Sequence, residues 1–234
     1  MNTKLIFSIF YIIVSVTEIA TDLSDYKILV YFTKPLILVS VIIYFILSKN
    51  QKNIAGSSFF TAGLFFALSG DIFLMIQEMD LFIPGLASFL VMQVLYAYAF
   101  YLDNPQKLMS GFAFLRLVPF LLFATIFYFI LQPYLSGIAM QVAVAIYSLS
   151  IAAMTWMSFL RKNKVSDQSF FLVFTGAILF MISDSIIAVN KFIIAVPFNT
   201  IWVMGTYCLA QYLITVGFLK TKQTGLHPSV LSVI

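Results

Sequence analysis

Charge is what this sequence is short of. Only 9% of its 234 residues are Asp, Glu, Lys or Arg, against 62% hydrophobic, whereas about a quarter of an ordinary soluble domain is charged. That composition excludes a soluble globular class and points to an integral, multi-pass membrane protein. Histidine is reduced to His227, in a polar C-terminal stretch, and cysteine to Cys208, inside the last apolar run. A histidine-ligated zinc site within the apolar runs is thereby excluded, a Ser-His-Asp triad has no histidine at depth, and no intrachain disulfide is possible. There is no Gly-rich phosphate loop. The formal charge of +4 comes from scattered basic residues, so nucleic acid is not an expected partner. The 26 Phe, 12 Tyr and 10 Met form no cofactor box, and neither cofactor nor metal is expected. Any chemistry falls to carboxylates.

Apolar runs bounded by charges, Pro, Gly or Asn predict eight spans, at about 4–21, 30–48, 57–77, 81–101, 114–132, 136–160, 168–189 and 197–219. At roughly 20 residues per span this leaves no room for a soluble domain. The expected fold is therefore all-α, one eight-helix membrane domain over residues 1–220 with a short cytoplasmic tail at 221–234. The first run lacks the small-x-small pattern of a signal-peptidase site and is read as a retained span. In a prokaryotic host the expected location is the inner, or plasma, membrane.

Basic residues in short loops favour the cytoplasmic side. With both termini inside, that side collects Lys4, Lys49, Lys52, Lys107, Arg116, Arg161, Lys162, Lys164, Lys220 and Lys222; the other keeps Lys27, Lys34 and Lys191. The predicted topology is N-in, C-in, with Asp22, Asp25, Glu78 and Asp80 in outer loops. Asp71, in "ALSGDIFLMI", then lies roughly 9 Å below the outer end of the third span, and Asp184 lies at a similar depth in the seventh. Glu18 and Lys34 belong to the same level. "GLFFALSGD" (63–71) and "GAILFMISD" (176–184) share a Gly eight residues before the Asp and a small residue, Gly70 or Ser183, just before it. The offset of 113 residues, four spans, suggests a parallel four-plus-four repeat about an axis along the membrane normal.

An ionised carboxylate at membrane depth costs several kcal/mol unless paired, neutralised or hydrated, so each intramembrane Asp is a functional candidate. Asp71 has a structural alternative: capping a helix break at Gly70, or pairing with Lys34 to hold helices together. In the functional reading, two carboxyls in one apolar cavity do not both ionise cheaply. One keeps a proton as general acid and the other acts as base or cation stabiliser, an arrangement suited to cleavage through an oxocarbenium-like state. Helical spacing also aligns Thr200, Tyr207, Gln211 and Thr215 in the last span, and Gly85, Phe89, Gln93, Tyr96 and Phe100 in the fourth. Gln141, Ser148 and Thr155 recur at seven-residue intervals in the sixth. Such residues are either hydrogen-bonding glue or cavity lining; Tyr207 and Gln211, with Gln93 opposite, are the lining candidates. Lys34 precedes Pro35, read as a first-turn proline. Its ammonium either binds a lipid phosphate there or snorkels to the interface.

The motifs "TKPLILV" (33–39), "ALSGDIFLM" (67–75), "GLASFLVMQVLYAYAF" (85–100), "GAILFMISDSIIAV" (176–189) and "TYCLAQYLI" (206–214) together resemble the YhhN-like membrane family, the lysoplasmalogenases. The resemblance implies an eight-span hydrolase that cleaves the vinyl ether of a lysoplasmalogen to a fatty aldehyde and a glycerophospho-ethanolamine or glycerophospho-choline. It implies a lysophospholipid substrate and a lipid bilayer as surroundings. It places the family's Lys-Pro at Lys34-Pro35, its Gly-Asp at Gly70-Asp71, its Ser-Asp at Ser183-Asp184 and its Tyr-x-x-x-Gln at Tyr207 and Gln211. Asp71 and Asp184 become the expected catalytic pair. Lys34, Glu18, Gln93, Tyr96, Tyr207, Gln211, Gly70 and Ser183 become the expected substrate-binding residues. Where many relatives carry a histidine in the fourth span, this chain has Gln93, three residues before Tyr96. The rival readings are a proton-coupled lipid or small-molecule carrier and a lysolipid-binding sensor.

Overall fold

The computed structural model describes residues 3–24, 26–49, 54–76, 78–102 and 114–221. The expected tail at 221–234 except for Thr221, the loop at 103–113, and with them Asp25, Lys52, Lys107 and His227 lie outside the described residues. Eight α-helices are delimited among the described residues: α1 (Thr3–Leu23), α2 (Lys27–Lys49), α3 (Ser57–Met75), α4 (Phe82–Leu102), α5 (Val118–Leu131), α6 (Gly137–Leu160), α7 (Asp167–Phe192) and α8 (Asn199–Phe218), with a 3₁₀ turn at Gln132–Tyr134 after α5. Seven of them are long and apolar enough to cross a bilayer, and the protein is an integral, multi-pass membrane protein. The exception is α5. Its 14 residues span roughly 21 Å at helical rise, because the helix begins at Val118 with Pro119 in its first turn, where a proline costs no hydrogen bond. The run before it, from residue 114, is apolar but does not continue as α5.

A second boundary changes an argument about the site. Helix α2 begins at Lys27, so Pro35 is an interior proline and not a first-turn residue. Lys34 therefore sits about two turns inside the helix, beyond reach of the partial positive charge at its N-terminus. Pro35 offers no N–H to the carbonyl of Tyr31.

The helices alternate in direction, as side chains at each end show. At one end Asp22 of α1 accepts a hydrogen bond from Thr200 of α8 (2.7 Å), and Phe82 of α4 meets Phe192 of α7 edge-on. At the other end Arg161, fully buried, donates to Ser169 (3.0 Å) and Thr221 (2.8 Å). Its guanidinium stands 5.5 Å from the Phe100 ring centre and 5.8 Å from that of Phe218. Phe45, Phe60, Tyr96, Phe100 and Phe218 stack into a closed aromatic core just above it. The closest helix pairs are α7 with α8 and α3 with α4, and glycine makes both possible. A Cβ at Gly63 would stand 2.7 Å from the Tyr96 ring of α4, and one at Gly176 would stand 2.9 Å from the Ala210 carbonyl of α8.

Candidate active site

Helix α3 runs unbroken through Gly70 and Asp71, so Asp71 caps no helix break. Its side chain is buried, and Oδ2 accepts a hydrogen bond from the Tyr207 hydroxyl of α8 at 2.8 Å. Asp184, on α7, has its Oδ2 turned to two donors: the Tyr147 hydroxyl of α6 and, at 3.3 Å, Gln93 Nε2 of α4. The pairing is crossed, with the α3 aspartate held from α8 and the α7 aspartate held from α4. Below them Tyr96 of α4 donates to Gln211 Oε1 of α8 (3.1 Å), joining the two supporting helices. The stripes on α4 and α8 thus face inward and meet. Thr215, farther down α8, is fully buried.

The small residues before the aspartates have packing partners. The Ser183 hydroxyl donates to the Val203 carbonyl of α8 (3.0 Å). At Gly70 a Cβ would come within 2.7 Å of the Phe89 ring. That ring also meets Tyr207 edge-on with 6.1 Å between centres, so it lies against the Asp71–Tyr207 pair.

Phe89 has another face. Together with Phe82, Leu86, Phe123, Phe127 and Leu131 it walls a cavity between α4, α5, α6 and α7. The space available to the centre of a water molecule is about 60 Å³, several times the 10–15 Å³ or so that one water needs. The lining is apolar except for Tyr147, Ser148, Asp184 and Ser185. Asp184 is on this wall; Asp71 is not among the lining residues. Phe89 lines this cavity and meets the Tyr207 ring that holds Asp71.

On the far side of Phe89, α1 and α2 add charge. Glu18 is fully buried, and neither carboxylate oxygen has a hydrogen-bond partner among the described residues. Lys34, half-buried on α2, acts through space on both Glu18 and Asp71. Tyr11 of α1 closes this side by donating to the Cys208 carbonyl (2.8 Å). The arrangement offers two distinct environments: charged surroundings for the buried Asp71 and an apolar cavity with one carboxyl, Asp184, on its wall.

Sequence reasoning missed Tyr147 and Ser150. Ser150 donates to Gln93 Oε1 and to the Tyr147 carbonyl (2.8 Å), completing the set of groups behind Asp184. The seven-residue stripe on this helix pointed elsewhere. Ser148 and Thr155 turn their hydroxyls to backbone carbonyls one turn back, at Val144 and Ile151. The available signal was Tyr147 and Ser150 at i, i+3 on the adjoining face.

A model of the YhhN family matches residues 29–218, all of the site except the Glu18 side. Among characterised relatives, human lysoplasmalogenase TMEM86A is 34% identical over 70% of this chain and 67% of its own length. Bovine lysoplasmalogenase TMEM86A is 32% identical over 69% of this chain and 65% of its own. Human lysoplasmalogenase TMEM86B is 32% identical over 60% and 55%. The chain thus spans about two thirds or less of the length of these relatives. No solved structure matches it.

Proposed function

The chain belongs to the YhhN family, and from that premise we propose that it is a membrane-embedded hydrolase of the vinyl ether bond of lysoplasmalogens. The products are a fatty aldehyde and a glycerophospho-ethanolamine or glycerophospho-choline. One observation carries the reading. Two intramembrane aspartates, Asp71 buried and Asp184 half-buried, are each held by a tyrosine hydroxyl from another helix, and Asp184 opens on an apolar cavity. The names of the relatives, lysoplasmalogenases at 32–34% identity, agree with it.

Vinyl ether hydrolysis starts with protonation of the alkene carbon remote from the ether oxygen. The resulting oxocarbenium ion takes up water as a hemiacetal, which collapses to aldehyde and alcohol. The protein must supply an acid in reach of that carbon and a negative charge near the cation. In this reading one carboxyl of the Asp71/Asp184 pair donates the proton and the other stabilises the cation. The alkenyl chain lies in the cavity of α4 to α7. The head group lies on the charged side, with Lys34 toward the phosphate and Glu18 toward the amine; Tyr96, Tyr207 and Gln211 support the boundary between them. The crossed pairing of the aspartates supports a parallel four-plus-four repeat. The charge bias of the loops supports the N-in, C-in orientation.

The test is aldehyde release from lysoplasmenyl-ethanolamine by detergent-purified protein, beside folded Asp71→Asn and Asp184→Asn variants. Aldehyde from the wild type and its loss from at least one variant is the expected result. Wild-type turnover in both variants would sink the carboxylate mechanism. If the folded wild type releases none but moves the lipid across a vesicle, the protein is a carrier.

A further inference from the structure

We infer that Asp184, and not Asp71, is the proton donor, and that Tyr147 and Gln93 are positioning residues that hold its Oδ2 so that the proton is carried on Oδ1, facing the alkenyl chain. This assignment rests on the hydrolase reading above and says which atom acts in it.

Access separates the two aspartates first. A general acid must come within hydrogen-bond reach of the atom it protonates. Asp184 lines the apolar cavity, whereas Asp71 is not on its wall, is buried and is bonded to Tyr207. Geometry then separates the two oxygens of Asp184. Both donors, Tyr147 Oη and Gln93 Nε2, fall on Oδ2. An oxygen that accepts two hydrogen bonds has its lone pairs engaged and leaves no place for a proton of its own. Oδ1 has no hydrogen-bond partner among the described residues, so the proton goes there.

The two donors are themselves fixed. Tyr147 stands on the cavity wall with its hydroxyl spent on Asp184. Gln93 is fully buried, and Ser150 donates to its Oε1, which turns the amide nitrogen toward the carboxyl. Ser150 and Tyr147 share one turn of α6 and are joined by the bond from Ser150 Oγ to the Tyr147 carbonyl. Asp71, faced by Lys34, is then the anion that stabilises the cation.

The step balances within the site. The Oδ1–H bond breaks as the alkene π electrons form a C–H bond at the remote carbon, leaving the oxocarbenium ion. Water adds at the carbon next to oxygen and returns a proton to Asp184. The hemiacetal hydroxyl proton passes to the departing glycerol oxygen, and the enzyme ends as it began.

The experiment runs full-length protein in detergent on lysoplasmenyl-ethanolamine in D₂O, with borohydride present to trap the aldehyde as alcohol. The wild type should place a single deuterium on the α-carbon in one configuration. Tyr147→Phe and Gln93→Leu should each lower kcat by roughly 10- to 100-fold, the usual penalty of a misplaced catalytic group. KM should hold, and the deuterium should appear in mixed configuration. Gln93→His, which keeps an N–H donor, should restore both rate and configuration. Unchanged kcat and configuration in Tyr147→Phe and Gln93→Leu would overturn the proposal. So would a loss of rate that only tracks loss of folded protein, with configuration intact, or an Asp184→Asn variant that outperforms Asp71→Asn. Absence of aldehyde from the wild type would remove the hydrolase reading itself, a result distinct from all of these.

Discussion

Asp71 shares its side of the bundle with Glu18, Asp22 and Lys34, contributed by α1 and α2, while Asp184 shares its side with Tyr147, Ser148 and Ser185 on the wall of an apolar cavity closed by α5 and α6. The two aspartates start from nearly the same local sequence: a glycine eight residues earlier, a small residue just before, a tyrosine hydroxyl on Oδ2. Their differences come from the flanking helices. A charged neighbourhood suits a carboxyl that must stay ionised next to a cation. An apolar wall suits one that must keep and deliver a proton. The two motifs resemble each other, and the helices around them give the two aspartates different surroundings.

The comparison breaks most readily at the carboxyls. Asp184→Asn should lower turnover by about 10²- to 10⁴-fold, the range for loss of a general acid, measured as aldehyde release. Asp71→Asn should lose less, because it removes cation stabilisation and leaves the proton donor in place. Equal losses would mean that the two environments do not differ in role. Gly70→Ala tests the wall between them. Its new methyl meets the Phe89 ring at 2.7 Å, so the ring must move toward the cavity. A destabilisation of about 1–3 kcal/mol is expected from such overpacking, read as a lower Tm together with a higher KM. Lys34→Ala should raise KM by about tenfold, equivalent to about 1.4 kcal/mol of binding, with turnover little changed; a pure turnover loss would put Lys34 in the chemistry.

The smallest effect belongs to Glu78, in the α3–α4 turn on the charged side. The Tyr31 hydroxyl donates to its Oε2 at 2.6 Å and holds this exposed carboxyl below its ordinary range. A carboxyl lowered in the folded state contributes stability above its unfolded pKa and loses it as the pH falls through the folded one. The acid side of the Tm-versus-pH curve should therefore shift slightly in Tyr31→Phe, while its neutral region stays put.

Hydropathy made all eight helices legible, because a bilayer demands long apolar runs whatever the packing. It misjudged two starts, both at prolines. Pro119 opens α5 later than the apolar run begins, and Pro35 sits inside α2, where a helix is not expected to continue. The aspartates, Glu18 and Lys34 stood out because a charge within an apolar run is costly unless paired, neutralised or hydrated, and of their structural alternatives the unbroken α3 removes the helix break at Gly70. Tyr147 was not. One of 12 tyrosines, it is distinguished only by which way α6 is turned, and that is fixed by contacts with α4 and α7 distant in sequence. The alternation of hydroxyls on α6 misled for the same reason, since Ser148 and Thr155 satisfy themselves on their own backbone. Gln93 stood out both in the polar stripe of α4 and as a departure from the family pattern. Its amide still donates to Asp184, which a histidine N–H there would also do.

The short helix α5 bears on where water comes from. Even with the 3₁₀ turn that extends it, the helical segment Val118–Tyr134 is the shortest of the described crossings, and falls a few ångströms short of a hydrocarbon layer roughly 30 Å thick. A span with that hydrophobic mismatch draws the lipid headgroups inward beside it. Phe123, Ala124, Phe127 and Leu131 of this helix also form one wall of the Asp184 cavity. A water molecule that enters beside α5 therefore crosses a shorter apolar layer to reach the Asp184 cavity than one that enters beside the longer helices.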